Sequence, residues 1–291
     1  MITRERLSSF ADRMSLAIRQ GGVVARFLQG RVGNEGKFAE ALFPDDPEAL
    51  VARRAAKTVA DEIVQEILLM AAAASLNTSE TALDAEEDTP STTLFSNGPM
   101  SVTLVLDPID GTAEYLSGQD SYSVSVGLVD RGQMVSALVY FPARGQFYFL
   151  GTDGVAYLAR DYRSSRLDEP KQVVPMLGSD VRRVYKNGRV PEEVVRRLED
   201  CGYEVVDDTS VNCRDAIVKC ISGEAIAYLA HTRNMRDIIL GAIVAGTPGG
   251  YALNWEGRAL EWPASGRVAR AVFGVGAIPE ALLECVARDS S

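Results

Sequence analysis

Apolar residues recur at helical spacing from the start of the chain. Leu7, Phe10, Ala11, Met14, Ala17, Ile18, Val24, Ala25 and Leu28 predict a helix over 4–29. Gly21-Gly22 interrupts the pattern and predicts a kink. Residues 30–46 carry glycine, charge and Pro44, which predicts a loop. Residues 47–74 return to helical spacing, with Pro47 suited to a first turn. Residues 75–100 hold Asn, Ser, Thr, Pro and the acidic cluster Asp84-Ala85-Glu86-Glu87-Asp88, again read as loop.

The period then changes. Val102 to Leu106 is mostly apolar and predicts a buried strand, ended by a turn at Asp107-Pro-Ile-Asp-Gly-Thr112. Runs at 122–129, 135–141 and 146–150, separated by Asp130-Arg131-Gly132 and Pro142-Ala-Arg-Gly145, predict an antiparallel meander. Residues 155–159 add a further strand. The polar stretch 161–180, with Pro170 and Pro175, marks a boundary between an N-terminal α+β domain, 1–165, and a C-terminal α/β domain, 166–291. In the second, strands at 182–185, 203–206, 225–229 and 251–254 alternate with helices at 191–200, 212–222 and from Asp237 to about 245.

Composition narrows the function. A formal net charge of −10 over 291 residues argues against a general binder of nucleic acid or anionic membrane. An anionic substrate would need local cations to offset that field. The four cysteines form no CxxC pair, no apolar run reaches the length of a membrane span, and charge breaks up the N-terminus. A reduced, cytoplasmic setting with free thiols is expected. With His231 as the single histidine, neither a His-built zinc site nor a Ser-His-Asp triad is expected.

The candidate chemistry centres on Asp107 and Asp110. Two carboxylates at the end of a buried strand repel unless a cation sits between them, and oxygen-only ligands suit Mg²⁺. Gly111 and Thr112 follow, offering backbone N–H groups and a hydroxyl to an anion. Taken alone, D-P-x-D-G is also ordinary turn chemistry. Asp61, Glu62 and Glu66 likewise read alone as a solvated helix face. The stretch His231-Thr-Arg233-Asn-Met-Arg236 reads either as recognition of a second anionic group or as a surface loop paired with the protein's own carboxylates.

Order along the chain joins these pieces. Lys57-Thr-Val-Ala-Asp61, then Ala85-Glu-Glu-Asp88, then Asp107-Pro-Ile-Asp-Gly-Thr112, then Arg236-Asp237-Ile-Ile-Leu-Gly, then Trp255-Glu-Gly-Arg-Ala-Leu260 span most of the sequence. In that order they resemble the inositol monophosphatase family of metal-dependent, lithium-sensitive phosphatases, which includes 3′(2′),5′-bisphosphate nucleotidases. The resemblance implies a layered α/β/α/β/α sandwich and a homodimer. It implies a first Mg²⁺ held by Glu86, Asp107 and the carbonyl of Ile109, a second held by Asp107, Asp110 and Asp237, and a third near Glu86. Asp61 and Thr112 would orient and deprotonate water, with Glu86 as a further catalytic carboxylate. Gly111 and Thr112 would hold phosphate; apart from the resemblance, the basic stretch makes Arg236 the candidate reader of a second anionic group.

The implied activity is hydrolysis of a small-molecule phosphate ester. Inositol phosphate, adenosine 3′,5′-bisphosphate, and sugar or histidinol phosphates are the candidates, with a phosphate- or metal-binding regulator as the non-enzymatic alternative. The chain departs from the family in places. Arg236 stands where tryptophan is usual, and Ala230 where the animal enzymes carry the acid that grips inositol hydroxyls. Ala113-Glu114-Tyr115 and Asn254-Trp255 are similar to the nucleotidase branch.

Overall fold

A computed structural model describes residues 2–36, 56–160, 168–176, 181–263 and 266–287. The expected helix start at Pro47 and most of the 30–46 loop lie outside the described residues. The first helix, α1 (Arg4–Leu28), is capped by Thr3, whose hydroxyl accepts from the Arg6 N–H at 3.3 Å. It runs unbroken through Gly21-Gly22, so the expected kink is not found. The glycines serve close packing instead. A Cβ on Gly21 would lie 2.9 Å from Val64 Cγ1, and one on Gly22 would collide with the edge of the Tyr140 ring.

The second helix, α2 (Val59–Ala73), begins later than a helix reaching back through 56–58 would. Thr58 is extended, at φ −133°, and starts the helix as its cap. Its hydroxyl accepts from Ala60 N–H, and Asp61 accepts from Thr58 N–H at 2.8 Å. Apolar periodicity alone does not see such a stop.

Seven strands form the first sheet: β1 (Thr81–Ala85), β2 (Val102–Asp110), β3 (Ser123–Asp130), β4 (Gln133–Phe141), β5 (Gln146–Leu150), β6 (Ala156–Arg160) and β7 (Lys171–Gln172). They lie in sequence order, and the short helix α3 (Thr112–Leu116) follows β2. From β2 to β7 the neighbours are antiparallel, the expected meander; β1 joins the edge in parallel with β2. β1 corrects part of the loop expected over 75–100. It is too short and too polar to stand out by pattern, and it is held by pairing Thr81–Ala85 with Val102–Leu106.

The second sheet has the order β11-β12-β10-β8-β9, from β8 (Arg183–Lys186), β9 (Glu204–Asp207), β10 (Ala227–Asn234), β11 (Gly250–Leu253) and β12 (Arg267–Val275). Its helices are α4 (Glu192–Asp200), α5 (Cys213–Ile221), α6 (Ile239–Ala245) and α7 (Glu280–Ala287). β10, β8 and β9 run parallel, while β11 and β12 are antiparallel to their neighbours. β12 and α7 add to the elements expected from sequence. Arg267 and Arg270 break up the apolar run that becomes β12.

Three apolar clusters stack these elements. Phe10, Met14, Val64 and Leu68 of α1 and α2 meet Leu104, Leu106 and Tyr140 of the first sheet. The other face of that sheet, with Val105 and Val139, packs on α5 and α6 through Ile217, Ile239 and Ile243, and these reach Phe273 of the second sheet. Val194, Leu198, Leu282 and Val286 of α4 and α7 cover the far side of the second sheet. The result is the layered α/β/α/β/α sandwich.

Gly22→Ala tests the α1 contact. The added methyl gains helix propensity of about 1 kcal/mol but must displace the buried Tyr140 ring. A net loss of about 1–3 kcal/mol is expected, read as a lower urea midpoint with unchanged m. A raised midpoint would contradict the close approach.

Candidate active site

β2 delivers the two central carboxylates by breaking its own register. Asp107 pairs with Ser125 and Asp110 with Ser123, so three steps on β2 match two on β3. Pro108 has no N–H to give the ladder, and the irregularity falls at that residue and the next. Strict alternation would put Ile109 on the same face as Asp107. The bulge instead sends Ile109 into the core under α1 and α2, beside Leu104 and Leu106. The strand therefore extends through Asp110, past the turn expected at Asp107.

Asp237 joins them from the second sheet's side of the molecule. It lies in a 3-10 turn, Arg236–Ile238, ahead of α6. One carboxylate oxygen each from Asp107, Asp110 and Asp237 lies within 4.8 Å of the others. Burial, with the charges of Glu86 and Asp110, holds the Asp107 carboxyl well above the ordinary carboxylate range. Burial likewise raises Asp110 to about 7, although Arg214 opposes this and Asp237 adds to it. The Asp107 Oδ1 is buried without a hydrogen-bond partner. An oxygen-only set with one orphaned carboxylate oxygen fits a hard divalent cation such as Mg²⁺.

A second group backs this one. Asp61 is fully buried and accepts from the Thr58 hydroxyl at 2.7 Å as well as from its N–H. The Thr112 hydroxyl lies 3.2 Å from Asp61 Oδ1 and 3.1 Å from the Ile109 carbonyl oxygen. Burial raises the Asp61 carboxyl to about 7, against the Thr58 hydrogen bonds and with the help of Glu86 and Glu87. Gly111, at φ 96°, is the left-handed cap of α3 and sets Thr112 at its first position.

Residues outside the expected set hold the acidic loop in place. Gln65 of α2 donates to the Glu87 carbonyl at 2.5 Å and accepts from the Glu87 N–H at 3.0 Å. Glu66 accepts from Ser91 through backbone and hydroxyl, at 2.9 and 2.6 Å, and so is not the merely solvated side chain expected. Lys57 lies 2.6 Å from Glu62 and 3.5 Å from Glu87. Together they tie the loop bearing Glu86 to the helix bearing Asp61. The i to i+4 spacing of Asp61 and Gln65 was a readable signal; their separate targets, Thr112 for Asp61 and Glu87 for Gln65, were not.

These groups line a cleft of about 410 Å³ that takes in Glu86, Asp107, Asp110, Gly111, Thr112 and Asp237. Cations line it too. Arg214 of α5 forms a buried ion pair with Asp110, and Arg233 Nε lies 3.0 Å from Asp237 Oδ2 as an ion pair without hydrogen-bond alignment. Arg236 also borders the cleft, but it is buried and donates to Asp84 at 3.2 Å. Arg214 lay unnoticed in sequence, because nothing local distinguishes it from other helical arginines.

Residues 48–291 match the inositol monophosphatase family. The chain belongs to that family. It is similar to the Nus factor SuhB of Xylella fastidiosa, 25% identical over 167 residues that make up 55% of this chain and 58% of that protein. It is also similar to the 3′(2′),5′-bisphosphate nucleotidase CysQ of Shigella flexneri, 23% identical over 159 residues, 54% of this chain and 61% of that one. These alignments thus span less than two thirds of either relative. Solved structures share the fold over nearly the whole length. An IMPase/NADP phosphatase complexed with Mg²⁺ and phosphate superimposes with a TM-score of 0.68 at 18% identity, covering 96% of this chain and 95% of that one. Thermotoga maritima IMPase gives 0.63 at 19% identity, with 95% and 97% covered. No described helix is long and apolar enough to cross a membrane.

Asp61 should leave a mark on stability without cation. The folded chain keeps its proton up to about 7, while the ordinary value is 3.8. Between those values the folded state binds more protons, so this contribution is full below the window and lost as pH rises through it. Denaturation of the metal-free protein from about pH 4 to pH 7 should show a steeper loss for wild type than for Asp61→Asn. Equal slopes would contradict the burial argument.

Proposed function

We propose that this chain is a Mg²⁺-dependent phosphomonoesterase of small phosphate esters. The observation that carries the reading is the convergence of Asp107, Asp110 and Asp237 within 4.8 Å, beside the Asp61–Thr112 contact of 3.2 Å. Glu86, Asp107 and the Ile109 carbonyl would hold one cation, and Asp110 and Asp237 border a second position beside it. Bound Mg²⁺ supplies Lewis-acid charge to phosphoryl oxygens and acidifies water.

The chain's own residues do the rest. Thr112 has one hydroxyl proton and two acceptors in reach, Asp61 Oδ1 and the Ile109 oxygen. Thr112 lines the cleft, and with its proton given to one of these oxygens its hydroxyl would accept from a water there and orient it. Asp61 is sealed from solvent, so it takes the water's proton through the Thr112 hydroxyl. A carboxyl held near 7 is suited to that task at neutral pH. The N–H groups of Gly111 and Thr112, at the start of α3, hold phosphate oxygens.

One observation favours a substrate with more than one anionic group. Arg189, Arg236 and Arg267 border the same cleft in a protein of net charge −10. This supports a bisphosphate such as adenosine 3′,5′-bisphosphate over inositol phosphate, in keeping with the likeness to CysQ. Tested against a panel of phosphate esters, the protein should release phosphate only with Mg²⁺. Asp107→Asn should lower the rate at least about a hundredfold, and Arg236→Ala should weaken the bisphosphate selectively. A protein that binds Mg²⁺ and releases phosphate from no ester would favour a regulatory role, as the name of the SuhB relative suggests.

A further inference from the structure

Three carboxylates meet at the cleft, but they are not compensated alike. Asp110 is met by Arg214, which is 5% exposed and also lies, through Nη2, 3.9 Å from Glu114 Oε2. Asp237 is met by Arg233, which also lies 3.8 Å from Asp208. The Asp107 Oδ1 is buried without a hydrogen-bond partner, and the charge of Glu86 acts on the same carboxyl. The two carboxylates on one side thus face guanidinium groups, while the third keeps a buried oxygen available.

Arg214 is not a loose side chain that has fallen into a gap. Its Nε donates to the Ser121 carbonyl at 3.2 Å, at the entry to β3. The helix that carries it is fastened on both sides. Asn212, in the left-handed region at φ 71°, caps α5 by accepting from the Asp215 N–H at 2.8 Å. Arg144, from the turn between β4 and β5, grips both oxygens of the same Asp215 at 2.5 and 2.9 Å. The turn at Gly111 leaves room only for this arrangement, since a Cβ there would collide with the guanidinium.

We propose that Arg214 is a resident counter-ion that takes the place of a second divalent cation at Asp110. The protein then holds one ion tightly, on the Asp107 and Glu86 side, and Arg214 supplies fixed positive charge on the other. A guanidinium offers charge and N–H donors but no open coordination position. It can neutralise charge on a phosphate or leaving oxygen, and it cannot acidify water. This rests on the cation-site reading above and assigns unequal roles to its two sides.

Mn²⁺ is the probe, because its paramagnetism reports ion pairs as well as binding. Calorimetric titration and electron paramagnetic resonance would be run on wild type, Arg214→Met and Arg214→Lys, each checked by thermal unfolding. Wild type should bind about one tight ion with an isolated-ion spectrum, and Arg214→Met should gain a second, giving the spin-coupled lines of a pair about 4 Å apart. Arg214→Lys should keep the wild-type count, since it keeps the charge. A coupled pair in wild type, unchanged in Arg214→Met, would overturn the proposal while leaving the cation site intact. No tight Mn²⁺ in any of the proteins would overturn the cation site as well. If Arg214→Met does not fold, the wild-type spectrum decides alone: isolated ions support the proposal and a coupled pair overturns it.

Discussion

Like charges forced together in a poorly hydrated place are the constraint on which this structure depends. Two unit negative charges about 5 Å apart repel by roughly 3 kcal/mol even with an effective dielectric constant near 20. One oxygen each of Asp107, Asp110 and Asp237 lies within 4.8 Å of the others, and two of these residues are buried. The fold meets the repulsion with Arg214 and Arg233, with protons retained above the usual carboxylate range, and with an oxygen of Asp107 left for a cation. Each remedy is partial. In a cluster so arranged, loss of protons and binding of a cation would favour each other.

The supports around the cluster are ordinary structural bonds put to a second use. The Asp61 that starts α2 in a capping box also reaches Thr112 at the start of α3. Gln65, one turn later, holds the backbone of Glu87 and so places the acidic loop against the same helix. Caps and buried hydrogen bonds of this kind each stabilise by about 1 kcal/mol. Their larger effect here is geometric. Three segments far apart in sequence are registered to one helix turn, so the carboxylates cannot drift apart to relieve their repulsion.

The fold class was legible because period and turn chemistry agreed over the meander from Ser123 to Leu150. Asp107, Asp110 and Asp237 were legible as a set only through the order of the motifs, since each has a bland reading alone. What remained hidden has physical causes. β1 is a short edge strand whose partner lies 21 residues on, beyond the reach of local pattern. The start of α2 was set by the backbone of Thr58, while the apolar spacing ran on past it. Gly21-Gly22 looked like a defect within α1, and its meaning lay in Val64 and Tyr140, distant in the chain. Arg214 gained its role from its partner, and a helical arginine gives no sign of its partner. Arg233 and Arg236, both in the basic stretch singled out in the sequence, lie against Asp237 and Asp84.

The bulge in β2 has a consequence for how this sequence can vary. Asp107 and Asp110 are three residues apart, an odd spacing that plain alternation would send to opposite faces, and the one extra residue returns Asp110 to the face of Asp107. A deletion at Pro108 or Ile109 would make the strand regular with both carboxylates still on one face, but it would remove the side chain that Ile109 sends into the apolar layer beneath α1. The cost of straightening this strand therefore falls first on the core, and only through the core on the two carboxylates.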